Sequence, residues 1–239
     1  LRFYQISIIA LGTRFPQLVL LVFGAAALLL AALYLLEQRD IKRLLAYSSV
    51  EHMGILTIGV SFGVPLALAG VLLHVLAHAA AKGNAFMGAV VLVRKYGTEE
   101  LPRIRCAMSR LPWSAPMFLL AVFALAAMPP FGLFRSEFQI IAGGLTDHRN
   151  AAAVALVCLV TVAFAGLTGA TTWMLFAPSR AAGPGAATAA AMERGEPSTW
   201  MVVPVVMGIA ALLLLGLAPP GDLIQLLTHA ANDLAGVGR

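Results

Sequence analysis

Three titratable residues stand four apart within one long apolar stretch: His74, His78 and Lys82. On an α-helix that spacing places all three side chains on one face, about 6 Å apart along the axis at each step. An imidazole gains and loses protons near neutral pH, and a lysine held out of water becomes an exchangeable proton site instead of a fixed charge. A stack of such groups through an apolar layer can hand a proton from one to the next. A lone histidine in such a place more often hydrogen-bonds a neighbouring helix. A charged side chain at a bilayer centre, however, costs at least roughly 2.5–3.5 kcal/mol, which an inert face has no reason to bear three times. His74 and His78 could alternatively hold a metal ion. No further His or Cys stands at ligand spacing and lysine is a poor ligand, so no metal is expected.

Two further spots carry ionisable groups inside apolar sequence. The run Ser48-Ser49-Val50-Glu51-His52-Met53-Gly54 sets Glu51 and His52 among small residues that suit close helix contact. Downstream, Pro129-Pro130-Phe131-Gly132 cannot continue a helix, and Arg135 and Glu137 follow at once. Broken helices at membrane depth are tolerated where protein or water satisfies the freed backbone, and they recur at ion and substrate sites. Arg135 has three readings: an ion-pair partner of Glu137, a structural contact, or an outward-reaching charge. An intimate pair would lock the carboxylate and make it a poor relay.

The elements that must position these groups follow from composition. Of 239 residues, 60% are hydrophobic and 11% charged, against about 25% charged in an ordinary soluble domain. That excludes a soluble globular enzyme, a disordered chain and a disulfide-stapled domain. Apolar runs of about 20 residues without period-2 alternation argue against a β-barrel and for an all-α, multi-pass helix bundle. The full-length stretches are Gln17–Leu36, Leu44–Phe62, Pro65–Val93, Trp113–Leu145 (broken at Pro129-Pro130), Ala151–Phe176 and Trp200–Leu217. Residues 1–12 are too short to span. Pro65–Val93 is long enough to be tilted, or bent near Gly83. Residues 178–198 read as a cytoplasmic loop, and 221–239 as a short amphipathic tail. The whole of 1–239 reads as a single membrane domain.

The net charge of +5 is membrane topology, with no nucleic-acid face. If every full stretch spans, Arg39, Lys42, Arg43, Arg94, Lys95, Arg103, Arg105, Arg110, Arg180 and Arg194 share one side. Arg14, Arg149 and Arg239 share the other. The excess marks the first side as cytoplasmic. Cys106 and Cys158 have no metal spacing and read as incidental small residues.

Taken together, three segments resemble the proton-translocating, antiporter-like membrane subunits of respiratory complex I and membrane-bound hydrogenases. They are Asp40-Ile41-Lys42-Arg43 through Tyr47-Ser48-Ser49, the following helix with His74, His78 and Lys82, and the broken helix with Glu137. The resemblance runs from about Val19 to Leu145, in the family's order. The Ser-Ser-Val-Glu-His-Met-Gly and Pro-Pro-Phe-Gly-Leu-Phe-x-Ser-Glu-Phe forms are most similar to the hydrogenase-4 and formate hydrogenlyase type. The resemblance implies that Lys82 is the mid-membrane lysine of a hydrophilic axis. It makes His74 and His78 relay neighbours, Glu137 the charged residue on the broken helix, and Glu51 and His52 a subgroup pair. Lys42 and Arg43 match a basic pair at the cytoplasmic edge, which serves proton uptake or anchors the helix. Gly83-Asn84 and Arg135 depart from the family's apolar residues at those positions.

The family's two inverted repeats imply that this chain is the second repeat with the C-terminal helices. The other half would lie in the same longer polypeptide or in a separate chain. The resemblance further implies a subunit of a redox-driven complex of the hydrogenase or NADH:quinone oxidoreductase type, in a prokaryotic inner membrane. With no cysteine cluster or Gly-rich nucleotide loop, no cofactor is expected on this chain, and iron–sulfur or nickel–iron centres are expected in partner subunits. Expected partners are the lipid bilayer, other antiporter-like membrane subunits, soluble redox subunits and protons, and no nucleic acid. Two alternatives compete. One is a Na+ or K+/H+ antiporter module, with Glu137, Ser136 and unwound carbonyls near Pro130 as cation ligands. The other is a non-transporting anchor for redox subunits.

Overall fold

A bilayer offers no water to backbone N–H and C=O groups, so apolar segments must close their hydrogen bonds internally. The computed structural model describes residues 1–178, 193–196, 200 and 202–236, and among them helices carry the architecture. Among the described residues, extended pairing is confined to one isolated bridge, Asp40 with Glu100. In chain order the helices are α1 (Arg2–Leu11), α2 (Arg14–Leu36), α3 (Ile41–Phe62), α4 (Pro65–Tyr96), α5 (Ala107–Arg110) and α6 (Ser114–Leu125). They continue with α7 (Gly132–Thr146), α8 (Asn150–Phe176), α9 (Val202–Leu217) and α10 (Gly221–Gly236).

Helix ends sit where local chemistry puts them. Asp40 caps α3, its carboxylate accepting from the Arg43 amide at 2.9 Å. Gly63 ends α3 with φ 68°, a left-handed conformation that a side chain resists. Proline at the first turn opens α4, where its missing N–H has no helical partner to lose. The expected Trp113–Leu145 stretch divides into α6 and α7 around Pro129-Pro130, whose peptide bond is cis. α4 runs through Gly83 without a break.

α4 is the central element, packing against α3, α6, α7, α9 and α10. Its most apolar window is 56% buried inside the protein, against 28% for α2 and for α8, whose outer faces are left to lipid. α2 backs α3 through facing glycines: a Cβ at Gly54 would meet the Gly24 carbonyl oxygen and the Leu28 amide nitrogen at 2.9 Å. Small residues at a membrane helix contact permit such backbone approach.

By length and composition, α2, α4 and α8 can cross a membrane, and α9 with α10, bent by 65°, adds a fourth broken crossing. α3 is also long enough, at about 33 Å for its length. It is less apolar than expected because Ser48, Glu51, His52 and Ser61 are built into it and turned inward. The protein is an integral membrane protein.

The basic residues separate as their sequence positions require. Near the start of α3, Lys42 pairs with Glu99, and the Leu101 amide bonds the Arg39 carbonyl at 2.9 Å. Tyr96 bonds the Arg105 carbonyl at 2.6 Å, and Lys95 the Gly195 carbonyl at 2.8 Å. This gathers the described residues of the expected cytoplasmic set at one end. At the other end Arg149 bonds Gln17, one turn from Arg14. Arg180, Arg239 and most of the expected loop 178–198 lie outside the described residues. So do the last three residues of the expected tail, of which α10 is the described part. Glu196, from that loop, caps α6 by accepting from the Trp113 and Ser114 amides at 2.9 and 3.0 Å.

Candidate functional site

The short Gly63-Val64 turn folds α3 back along α4, which brings the polar residues of both helices into one buried seam. Lys82 donates to the Leu45 carbonyl and to Ser48 Oγ at 2.6 Å. One and two turns along α4, the His78 and His74 rings lie 6.2 Å apart and nearly parallel, 10° between planes. The single-face ladder expected from the spacing is therefore present.

α3 adds what the spacing on α4 could not reveal. His52 sets its ring against both, with centroids 4.4 Å from His78 and 5.1 Å from His74. Its Nδ1 is 3.0 Å from His74 Nε2. No third His or Cys stands at ligand spacing along the sequence, but the fold brings His52 up to His74 and His78, which corrects the ground on which no metal was expected. Facing nitrogens of His52, His74 and His78 all lie within 4.8 Å of one another. They escaped sequence reasoning because ligand spacing was sought along the chain, whereas the hairpin closes a gap of 22 residues.

α7 completes the site from beyond the broken segment. Ser136 Oγ lies 3.0 Å from His74 Nδ1 and donates to the Leu133 carbonyl at 2.7 Å. Glu137 Oε1 is 4.0 Å from His52 Nδ1. Glu51 is within electrostatic reach of both Lys82 and Glu137. Ser48, Glu51, His52, His74, His78, Lys82, Ser136 and Glu137 are all buried, Lys82 at 9% exposure. Glu51 Oε2, His52 Nε2 and His78 Nδ1 are buried without a hydrogen-bond partner. The arrangement is a buried polar cluster in an apolar bundle: Lys82, His78, His52 and His74, with the carboxylates of Glu51 and Glu137 beside them. Neighbours at hydrogen-bond distance can pass a proton, and the unpartnered nitrogens leave capacity for one.

The other sequence candidates lie apart. Lys42 is exposed at the basic end, and Arg43 contributes its amide to the Asp40 cap. Arg135 is half-buried and forms no ion pair with Glu137, because residues two apart on a helix face different ways. Pro129, Pro130 and Gly132 form the break, and Gly132 lets α9 approach: a Cβ there would meet Leu215 Cβ at 3.0 Å. Ser48 was overlooked as a partner of Lys82, although its place three residues before Glu51 puts it on the same helix face. Asn84, 1% exposed, packs against Gly208 of α9, a contact between distant segments that carries no local sequence signal.

Residues 3–163 match the family model described as NADH:quinone oxidoreductase/Mrp antiporter, transmembrane. The chain belongs to this family. The matched span includes every residue of the cluster and is more than half of the chain. The chain is similar to hydrogenase-4 component B of Escherichia coli, 33% identical over 171 residues, which are 66% of this chain and 25% of that protein. In structure it is similar to a chain of respiratory complex I from Thermus thermophilus, with TM-score 0.81, 26% identity, and 95% of this chain matched to 46% of that one. A chain of the Mrp complex from Dietzia shares the fold at TM-score 0.79 and 20% identity, covering 93% of this chain and 48% of that one. The chain thus spans a quarter to half of the length of these three. These structural neighbours are parts of multisubunit membrane complexes.

Proposed function

We propose that this chain forms part of a proton-translocating membrane subunit of a redox-driven complex, of the hydrogenase or NADH:quinone oxidoreductase type. The observation that carries the reading is the buried line of Lys82, His78, His52 and His74, flanked by Glu51 and Glu137, on three helices of an otherwise apolar bundle. In this reading Lys82 receives a proton from the side of the basic end, the three imidazoles pass it along, and Glu137 holds it next to the broken segment. Lys42 and Arg43 would serve uptake by raising the local electrostatic potential, or anchor the helix. Redox centres of iron–sulfur or nickel–iron type would lie in partner subunits, whose electron transfer shifts charge or conformation here. The basic end would face the cytoplasm of a prokaryotic cell.

The test is Lys82→Gln in the intact complex reconstituted in proteoliposomes, read with a pH-sensitive dye. Proton transport is expected to be lost while the complex still assembles and keeps its redox activity. Normal pumping by that variant overturns the relay. A second reading, exchange of Na+ or K+ for protons, draws on the similarity to Mrp-type chains and on the unpartnered Glu51 Oε2. It requires transport that depends on the cation at fixed pH.

A further inference from the structure

His52 Nδ1 faces His74 Nε2 at 3.0 Å, and Ser136 Oγ stands 3.0 Å from His74 Nδ1 and 2.7 Å from the Leu133 carbonyl. His52 and His74 therefore each turn a ring nitrogen into one shared centre, where the neutral ring offers a lone pair in one of its tautomers. The Leu125 carbonyl lies beside the His52 ring, whose buried Nε2 has no hydrogen-bond partner. His78, its ring tilted 54° to that of His52 with centroids 4.4 Å apart, adds a third ring with an unpartnered buried nitrogen.

We propose that His52, His74 and His78 form a binding site for a divalent transition-metal ion of the Zn2+ class. Imidazole nitrogen suits that class, and tetrahedral Zn2+ accepts three such ligands with a fourth position left for water or a carboxylate. Ligands at about 2.0–2.1 Å from the metal stand roughly 3.4 Å from one another, so the His52–His74 pair, now at 3.0 Å, opens slightly while the other separations adjust. That spread has an upper bound of 4.8 Å. His74 and His78 are the i, i+4 pair that lets one helix face hold two ligands. With a metal in place the outer bonds also close. His74 donates Nδ1–H to Ser136, and His52 can turn Nε2–H to the Leu125 carbonyl, the arrangement by which ligating histidines are usually oriented. Glu137, 4.0 Å from His52 Nδ1, is the nearest carboxylate for the fourth position.

Metal and proton would use the same lone pairs. Where the relay proposed above holds, Zn2+ therefore blocks transport, and this consequence alone rests on that reading. The test uses the purified complex containing this chain, stripped with a chelator and titrated with Zn2+ alone. The metal's shell is read by X-ray absorption and its affinity by competition with a chromophoric chelator. The expected result is one Zn2+ per chain with an imidazole-dominated shell. His52→Gln is expected to weaken affinity by at least about 100-fold, the upper end of what losing a mere outer-shell partner costs. His229→Gln, on exposed α10, leaves it unchanged.

Co2+ in the unmutated complex supplies a readout that needs no variant: intense visible d–d bands of a tetrahedral nitrogen site. An oxygen-dominated shell, affinity unaltered by His52→Gln, or absence of the Co2+ bands overturns the metal site. Tight imidazole binding with undiminished proton transport supports the site and overturns the relay instead.

Discussion

Gly54→Ala is expected to separate α3 from α2 and, through that, to interrupt the histidine line. A Cβ at residue 54 would sit 2.9 Å from the Gly24 carbonyl oxygen, 2.9 Å from the Leu28 amide nitrogen and 3.0 Å from Leu28 Cβ. Two of those three atoms belong to helix backbone and cannot rotate away, so the whole of α2 must move. Overpacking of this kind costs about 1–3 kcal/mol. The better helix propensity of alanine returns about 0.5–1 kcal/mol. The balance is a loss of up to about 2.5 kcal/mol, or a midpoint lower by up to about 10 °C for a chain of this size.

His52 lies two residues from Gly54, and its contact with His74 measures 3.0 Å. A displacement of about half an ångström removes that contact from hydrogen-bond reach. Transport should therefore fall as well. Gly83→Ala is the control, on the exposed side of α4: it neighbours Lys82, yet nothing lies within 4 Å of a Cβ there. It should hold or raise stability by up to about 1 kcal/mol and leave transport intact. Thermal unfolding in detergent and dye-based proton uptake in proteoliposomes measure both. Equal behaviour of the two alanines would refute the argument that backbone contact between α2 and α3 positions the relay.

Arg135→Gln should leave proton transport unchanged, since Arg135 forms no ion pair with Glu137; a loss comparable to that of Lys82→Gln would show a functional coupling that the geometry lacks. Glu196→Ala removes the acceptor for the Trp113 and Ser114 amides. It should cost about 0.5–2 kcal/mol, as loss of a helix cap does, visible as a lower thermal midpoint with redox activity retained. Lys42→Ala deletes an exposed pair with Glu99. It should change stability by no more than about 1 kcal/mol, an effect that added salt erases when unfolding is followed at two ionic strengths.

Much of the molecule is dictated by local sequence. Apolar runs must be helical in lipid because no other open structure closes its own hydrogen bonds there. Asp40, Gly63 and Pro65 set helix ends through chemistry confined to a few residues, and Pro129-Pro130 breaks the helix wherever it is placed. The i, i+4 spacing alone puts His74, His78 and Lys82 on one face, because helix geometry is fixed at 3.6 residues per turn. The pairing of basic residues into two ends likewise follows from counting crossings.

What the chain order does not contain is which faces meet. The approach of His52 to His74 and His78, and of Ser136 and Glu137 from α7, depends on the rotation and depth of three helices, set by close contacts such as Gly24 with Gly54 and Gly59 with Val71 and Ile140. Those contacts are between residues far apart in sequence, and each is only a small or apolar residue when read locally. For the same reason the separation of Arg135 from Glu137 emerges only once α7 is a continuous helix, with one side turned into the bundle. The ionisable groups and their helices are therefore properties of the sequence. Their assembly into one connected cluster is a property of the packing.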